Sequence, residues 1–228
     1  AAKSDGGKYT VSTSTMHHLI SIEGGSGSTV SFKNLNLVTE NPESDSAALR
    51  LYRGGLTVEL ENVDIDTSGA GTYNTAIDVS GDTETPINLN ITNCNISSSD
   101  TGYNVMIYSP VNIVVKGGSF SGWNNLYFQP AGAGSSSYSG SNGSVVEMSG
   151  TKLVSENVHK GPSNSFGAVV LDADGIDVKF EKCEISVSAA DAEAYQIFVF
   201  FRGDGHTANI SESKVALSGQ AAYLYGSI

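Results

Sequence analysis

The residues best placed for chemistry lie at two consecutive corners late in the chain. Asp172 and Asp174 sit in Asp172-Ala173-Asp174-Gly175, and Arg202, Asp204 and His206 occupy the equivalent stretch one repeat later. Stacking Asp174-Gly175 on Asp204-Gly205 brings the two carboxylates to about 5 Å. Like charges that close raise one pKa and leave an acid beside a base. Glycoside hydrolases use such a pair to protonate the leaving oxygen and to activate water or attack the sugar. Asp172, Asp174 and Asp204 could instead hold calcium on adjacent loops, although the run lacks the third oxygen ligand and the closing Glu of an EF-hand. Asp-Gly is also among the commonest turn dipeptides, and Asp82 has a similar place without companions. The plain-turn reading leads, with calcium and catalysis as alternatives.

A second group is aromatic: Tyr103, Tyr108, Trp123, Tyr127 and Tyr138. Trp123 falls in the polar run Ser121-Gly122-Trp123-Asn124-Asn125, where an exposed ring could stack on a sugar face while amides bond its hydroxyls. The competing expectation is that Trp123 folds over the core and the tyrosines pack from coil to coil. His17-His18 is a third pair. Neighbours on a strand face opposite ways, so the two cannot easily grip one metal ion and read as structural.

These residues are carried on a pattern written seven times: apolar, any, apolar, any, usually Asn or Gly, two more, apolar. It begins at Val30-Ser31-Phe32-Lys33-Asn34 closing at Leu37, and its central apolar residue recurs at 60, 91, 115, 148, 180 and 210. A period of this length with alternating strands describes a stacked array in which each unit covers its neighbour's apolar face. A second apolar run precedes each copy after the first, as in Leu49-Arg50-Leu51-Tyr52 and Val105-Met106-Ile107-Tyr108. Tight turns join the runs, and variable polar loops follow each copy. No segment has helical periodicity. A β-sandwich is the rival fold, but it has no reason to repeat one motif in register. The expected fold is all-β: a single-stranded right-handed parallel β-helix of seven to eight coils, about 35 Å long. Asn at 34, 62 and 93 suits a corner that needs the left-handed conformation, and stacked copies can bond one another. Gly117 and Gly150 meet the same demand without a side chain.

The spacing and the Asn corners resemble the right-handed, pectate-lyase-like β-helix repeats of bacterial surface and secreted proteins, over roughly residues 16 to 228. The resemblance implies a fold that hosts lyases, hydrolases, adhesins and phage tailspikes. Polygalacturonase-like hydrolases on this fold carry Asn-Thr-Asp, Asp-Asp, Gly-His-Gly and Arg-Ile-Lys elements, of which the chain offers only Gly205-His206-Thr207. Pectate lyases place basic residues beside calcium. The arginines here are Arg50, Arg53 and Arg202, with the first two some five coils from the third.

Composition narrows the partners. Twelve Lys and Arg face 24 Asp and Glu, a net charge of −12 that disfavours nucleic acid, anionic membrane and, unless calcium bridges the carboxylates, polyuronate. No run is apolar enough for a membrane-inserted helix. Cys94 and Cys183 both follow the corner residue, in the third and sixth copies. Three coils, about 14 Å, exceed the reach of a disulfide, so two free buried thiols are expected. Residues 1–228 read as a single domain, with 1–15 as an N-terminal cap. The run Tyr223-Leu224-Tyr225-Gly226-Ser227-Ile228 reads as a coil truncated from a longer protein with flanking domains. The expected function is a non-catalytic extracellular or cell-surface module, an adhesin, stalk or glycan-contacting domain using Tyr103, Tyr108, Trp123 and Tyr127. Its partners would be glycans or host and cell-surface components. The alternative is a polysaccharide-degrading enzyme, a glycoside hydrolase or lyase, using Asp172, Asp174, Asp204 and His206. No cofactor is required, calcium being the one candidate.

Overall fold

The computed structural model describes residues 2–3, 7–15, 17–41, 46–81, 85–158, 167–190 and 197–218. Asp82 and the run 223–228 lie outside them. All the described regular structure is β, and every pair joins parallel strands except Ala2–Lys3, which runs antiparallel to Tyr9–Thr13.

The chain winds as a three-sided parallel β-solenoid. The first face is formed by the leading halves of Thr29–Thr39 and Thr57–Thr67, then by Ile87–Thr92, Val111–Lys116, Val145–Ser149, Asp177–Glu181 and Thr207–Ser211. The second face holds the trailing halves of the two long strands and continues from Asn95–Ser98 to Lys214–Ser218. A separate seven-stranded sheet makes the third face, running from His18–Ile22 to Val199–Phe201. His18–Ile22 is a strand that the repeat pattern leaves unassigned.

The corner between the first and second faces is where the repeat acts. Asn34, Asn62, Asn93, Gly117, Gly150, Lys182 and Glu212 all have φ between 48° and 68°. The Asn62 amide donates to Asn34 Oδ1 at 2.6 Å, the expected stacking of corner amides. These seven corners bound about six complete turns. The expected seven to eight coils is therefore corrected: each motif copy marks a corner, and the turns are the intervals between corners. At the strand spacing of about 4.8 Å, six turns rise roughly 29 Å.

Apolar residues at alternate positions on all three faces fill the interior, with Phe120, Phe128 and Phe180 among the largest side chains fully enclosed. One column of that interior explains the cysteines. Directly after the corners lie Leu35, Val63, Cys94, Gly118, Thr151, Cys183 and Ser213, stacked in register. Cys94, Thr151, Cys183 and Ser213 each donate to the carbonyl two residues back, of Thr92, Ser149, Glu181 and Ser211. Cys94 Sγ and Ser213 Oγ also accept an N–H from the turn before, donated by Val63 and Cys183 respectively. The two thiols are free and buried, and they act here as corner-bonding equivalents of Ser and Thr.

Candidate functional site

The outward surface of the third face gathers most of the chemistry-prone residues. Its central column runs Ser21, Arg50, Asp78, Met106, Tyr127, Val170 and Phe200 in continuous register. Asp172 and Arg202 follow the last two strands of this sheet, one position beyond their inward-facing Leu171 and Phe201.

At the acidic corner the side chains are committed to neighbouring turns. Asp174 Oδ1 accepts the Asp204 N–H at 2.9 Å, and the Asp174 N–H donates to Asn142 Oδ1 at 3.0 Å. Asn142-Gly143, Asp174-Gly175 and Asp204-Gly205 therefore form one stack of turns, with φ of 69°, 65° and 71° at the glycines. His206 Nδ1 accepts the Ile176 N–H at 3.3 Å, which assigns the ring proton to Nε2. Asp172 pairs with Arg202 at 3.2 Å. Burial raises the Asp172 carboxyl above its ordinary range, and Arg202 opposes that rise.

A calcium ion finds little here. Asp174 already accepts a backbone N–H, Asp172 is neutralised by Arg202, and no group of three or more His, Cys, Asp or Glu converges among the described residues. The residues do not fit a calcium-dependent lyase centre.

The aromatic residues are brought together, but mostly with their faces covered. Trp123 is 2% exposed, Tyr127 6% and Tyr103 8%, and they share a cluster with Met106 and Val170. Trp123 was expected in a polar loop. It instead lies between the strands Ser119–Gly122 and Asn124–Phe128, with its carbonyl bonded by Ser155 Oγ. Tyr103 packs at 5.5 Å from Trp123 and 5.8 Å from Tyr127. The Tyr127 hydroxyl accepts from Gln129 and Arg202, and burial raises its pKa. Arg202 thus links the aromatic cluster to Asp172. Tyr108 packs against Tyr138 of the following loop with the rings tilted by 38° and centroids 5.1 Å apart.

One aromatic that the sequence did not single out stands at the open end of this row. Tyr73 is 47% exposed and stacks on Tyr103 at 6.4 Å with planes 23° apart. Its φ of 59° places a bulky residue in the left-handed region. Asn74, fully buried, clamps the loop: its amide donates to the carbonyls of Asn41 and Gly71, and its Oδ1 accepts from Ser46.

Arg50 and Asp78 form a second arrangement that the sequence reading passed over. They pair at 3.9 Å on the outward column, with Arg50 also over the Tyr52 ring at 4.5 Å. Burial pushes the Asp78 carboxyl up to about 6, against the pull of Arg50 and Ser80. His18, partly buried beside exposed His17, is pushed down to about 4 by burial first, then by His17 and Arg50. The available signal was spacing: Arg50 and Asp78 are 28 residues apart, the same interval that separates Phe32 from Leu60.

Together these features define a protein class by architecture, a parallel β-solenoid of about six turns whose corners are stacked polar turns. A scan against protein-family models and searches of curated proteins and solved structures return no match.

Proposed function

We propose that this chain is a non-catalytic extracellular or cell-surface module, an adhesin or stalk domain that contacts glycans on the side where its aromatic residues gather. The observation that carries the non-catalytic part is the bond from the Asp204 N–H to Asp174 Oδ1. It makes the most enzyme-like carboxylate of the chain part of the turn stack. His206 is spent in the same way on Ile176. The glycan part is supported by the aromatic row that ends in the exposed Tyr73 ring. The low charged fraction of 16% and the abundance of polar loops favour an outer-surface setting. The likeness to pectate-lyase-like helices of bacterial surface and secreted proteins rests on the same corners. No cofactor enters this reading.

The polysaccharide-degrading alternative draws on one observation, the raised Asp172 carboxyl beside Arg202 and Tyr127. Incubating the chain with a panel of plant, bacterial and host polysaccharides, while monitoring reducing ends and unsaturated products, separates the two. Retention on immobilised glycans without product is the expected result. Product formation that disappears in Asp172→Asn would overturn the non-catalytic reading.

A further inference from the structure

We propose that Tyr73 is a sugar-stacking platform that takes the apolar face of one pyranose unit of a neutral glycan. The inference rests on the glycan-contacting reading above and names the side chain and the ligand class.

Three observations carry it. First, the backbone: a φ of 59° is costly for a bulky side chain, and such conformations persist only where the surroundings enforce them. At the first corner the chain meets the same demand with Asn or Gly at five of seven places. A tyrosine at this φ keeps a ring where the fold alone is better served by Asn.

Second, the enforcement is visible. Buried Asn74 ties the loop to Asn41, Ser46 and Gly71, the Tyr73 N–H donates to the Thr101 carbonyl at 3.2 Å, and the Gly71 N–H donates to Asn41. A ring so held loses little freedom when a ligand arrives, which lowers the cost of binding.

Third, the ring has one covered side and solvent access. Tyr103 backs it at 6.4 Å, and Tyr103 is in turn held by Trp123 and Tyr127. Tyr73 as a residue remains 47% exposed. Thr72 and Asp100, both exposed, lie on the two segments joined by the Tyr73–Thr101 bond and can bond sugar hydroxyls. The Asp100 carboxylate and the net charge of −12 select against uronic and sulfated sugars, leaving neutral ones.

The test uses the whole chain on an array of neutral oligosaccharides, followed by titration calorimetry with the strongest ligand. Tyr73→Asn keeps a residue suited to the left-handed region and removes the ring. It is expected to weaken binding about tenfold or more while leaving the thermal midpoint in place. Wild-type binding that Tyr73→Asn leaves intact overturns the platform and leaves the glycan reading standing. A wild-type chain that binds no glycan overturns both. If Tyr73→Asn also lowers the midpoint, Tyr73→Trp decides: retained or tighter binding supports the platform, and lost binding overturns it.

Discussion

The side chain of Asp174 accepts the backbone N–H of Asp204, its counterpart one turn further along the solenoid, at 2.9 Å. Two residues that look like a carboxylate pair in the sequence are joined in the structure by a bond that runs from one turn to the next. The bond is local and exposed, so Asp174→Ala should cost about 0.5–1.5 kcal/mol by chemical denaturation. Asp174→Asn, which keeps an acceptor, should cost less. Gly203 lies in the same stack, where a Cβ would come within 2.3 Å of the Ala173 carbonyl oxygen and 2.8 Å of Asp174 Oδ1. Gly203→Ala should therefore be the harsher change, at about 1–3 kcal/mol. A larger loss from Asp174→Ala than from Gly203→Ala would contradict this account.

Asp78 and His18 act on stability in opposite directions over overlapping pH ranges. The folded Asp78 carboxyl, at about 6, lies above its ordinary 3.8, so the folded state holds an extra proton between those values. Its contribution to stability therefore grows as pH falls from about 6 toward 3.8. Folded His18, at about 4, lies below 6.5, so its contribution is lost as pH falls from 6.5 toward 4. Relative to wild type, Asp78→Asn should lose stability more steeply on acidification across pH 6 to 4, and His18→Gln less steeply. Thermal midpoints at half-unit pH steps give the comparison, and parallel curves for all three proteins would refute it.

Corner residues with left-handed backbone should show a simple order. Asn62→Ala should destabilise by about 1–2 kcal/mol, since Ala meets the conformational penalty and loses the bond to Asn34. Lys182→Gly, at φ 55°, should stabilise by up to about 1 kcal/mol. The ion pairs Lys182 makes with Glu181 and Glu212 are exposed and subtract little from this gain. Urea midpoints of the two variants should fall on opposite sides of wild type.

The thiols offer a chemical check on the interior. Burial raises both the Cys94 and Cys183 pKa values, so neither should react readily with an aromatic disulfide reagent at neutral pH until the chain unfolds. Cys183→Ser preserves a donor to Glu181 and an acceptor on the corner column, and should be better tolerated than Cys183→Ala. Equal stability of those two variants would remove the hydrogen-bonding role.

The fold was legible because its demands fall on residue type. Phe32, Leu60 and Ile91 recur at the spacing of one turn, and Asn34, Asn62 and Asn93 announce the left-handed corner. Lys182 and Glu212 occupy that corner without advertising it by type, and only the periodicity places them. The site was less legible because it depends on register between outward positions. Nothing near Arg50 or Asp78 marks them as partners until the strands are aligned. Trp123 looked like a loop residue because its neighbours Gly122, Asn124 and Asn125 are turn-forming types. Those asparagines are in fact fully enclosed within the third-face strand. Tyr73 gave no signal at all, because a tyrosine with positive φ is a choice no propensity predicts.

The backbone bonds of all three faces run from turn to turn, along the long axis of the rod. Loss of one turn therefore severs the two flanking blocks from each other and leaves each internally intact. Tension between the ends should undo such a stack like a zipper, releasing roughly 100 Å of chain per turn at the extended length of a residue. A solenoid built this way yields in steps, lengthening under load while the remaining turns keep their shape.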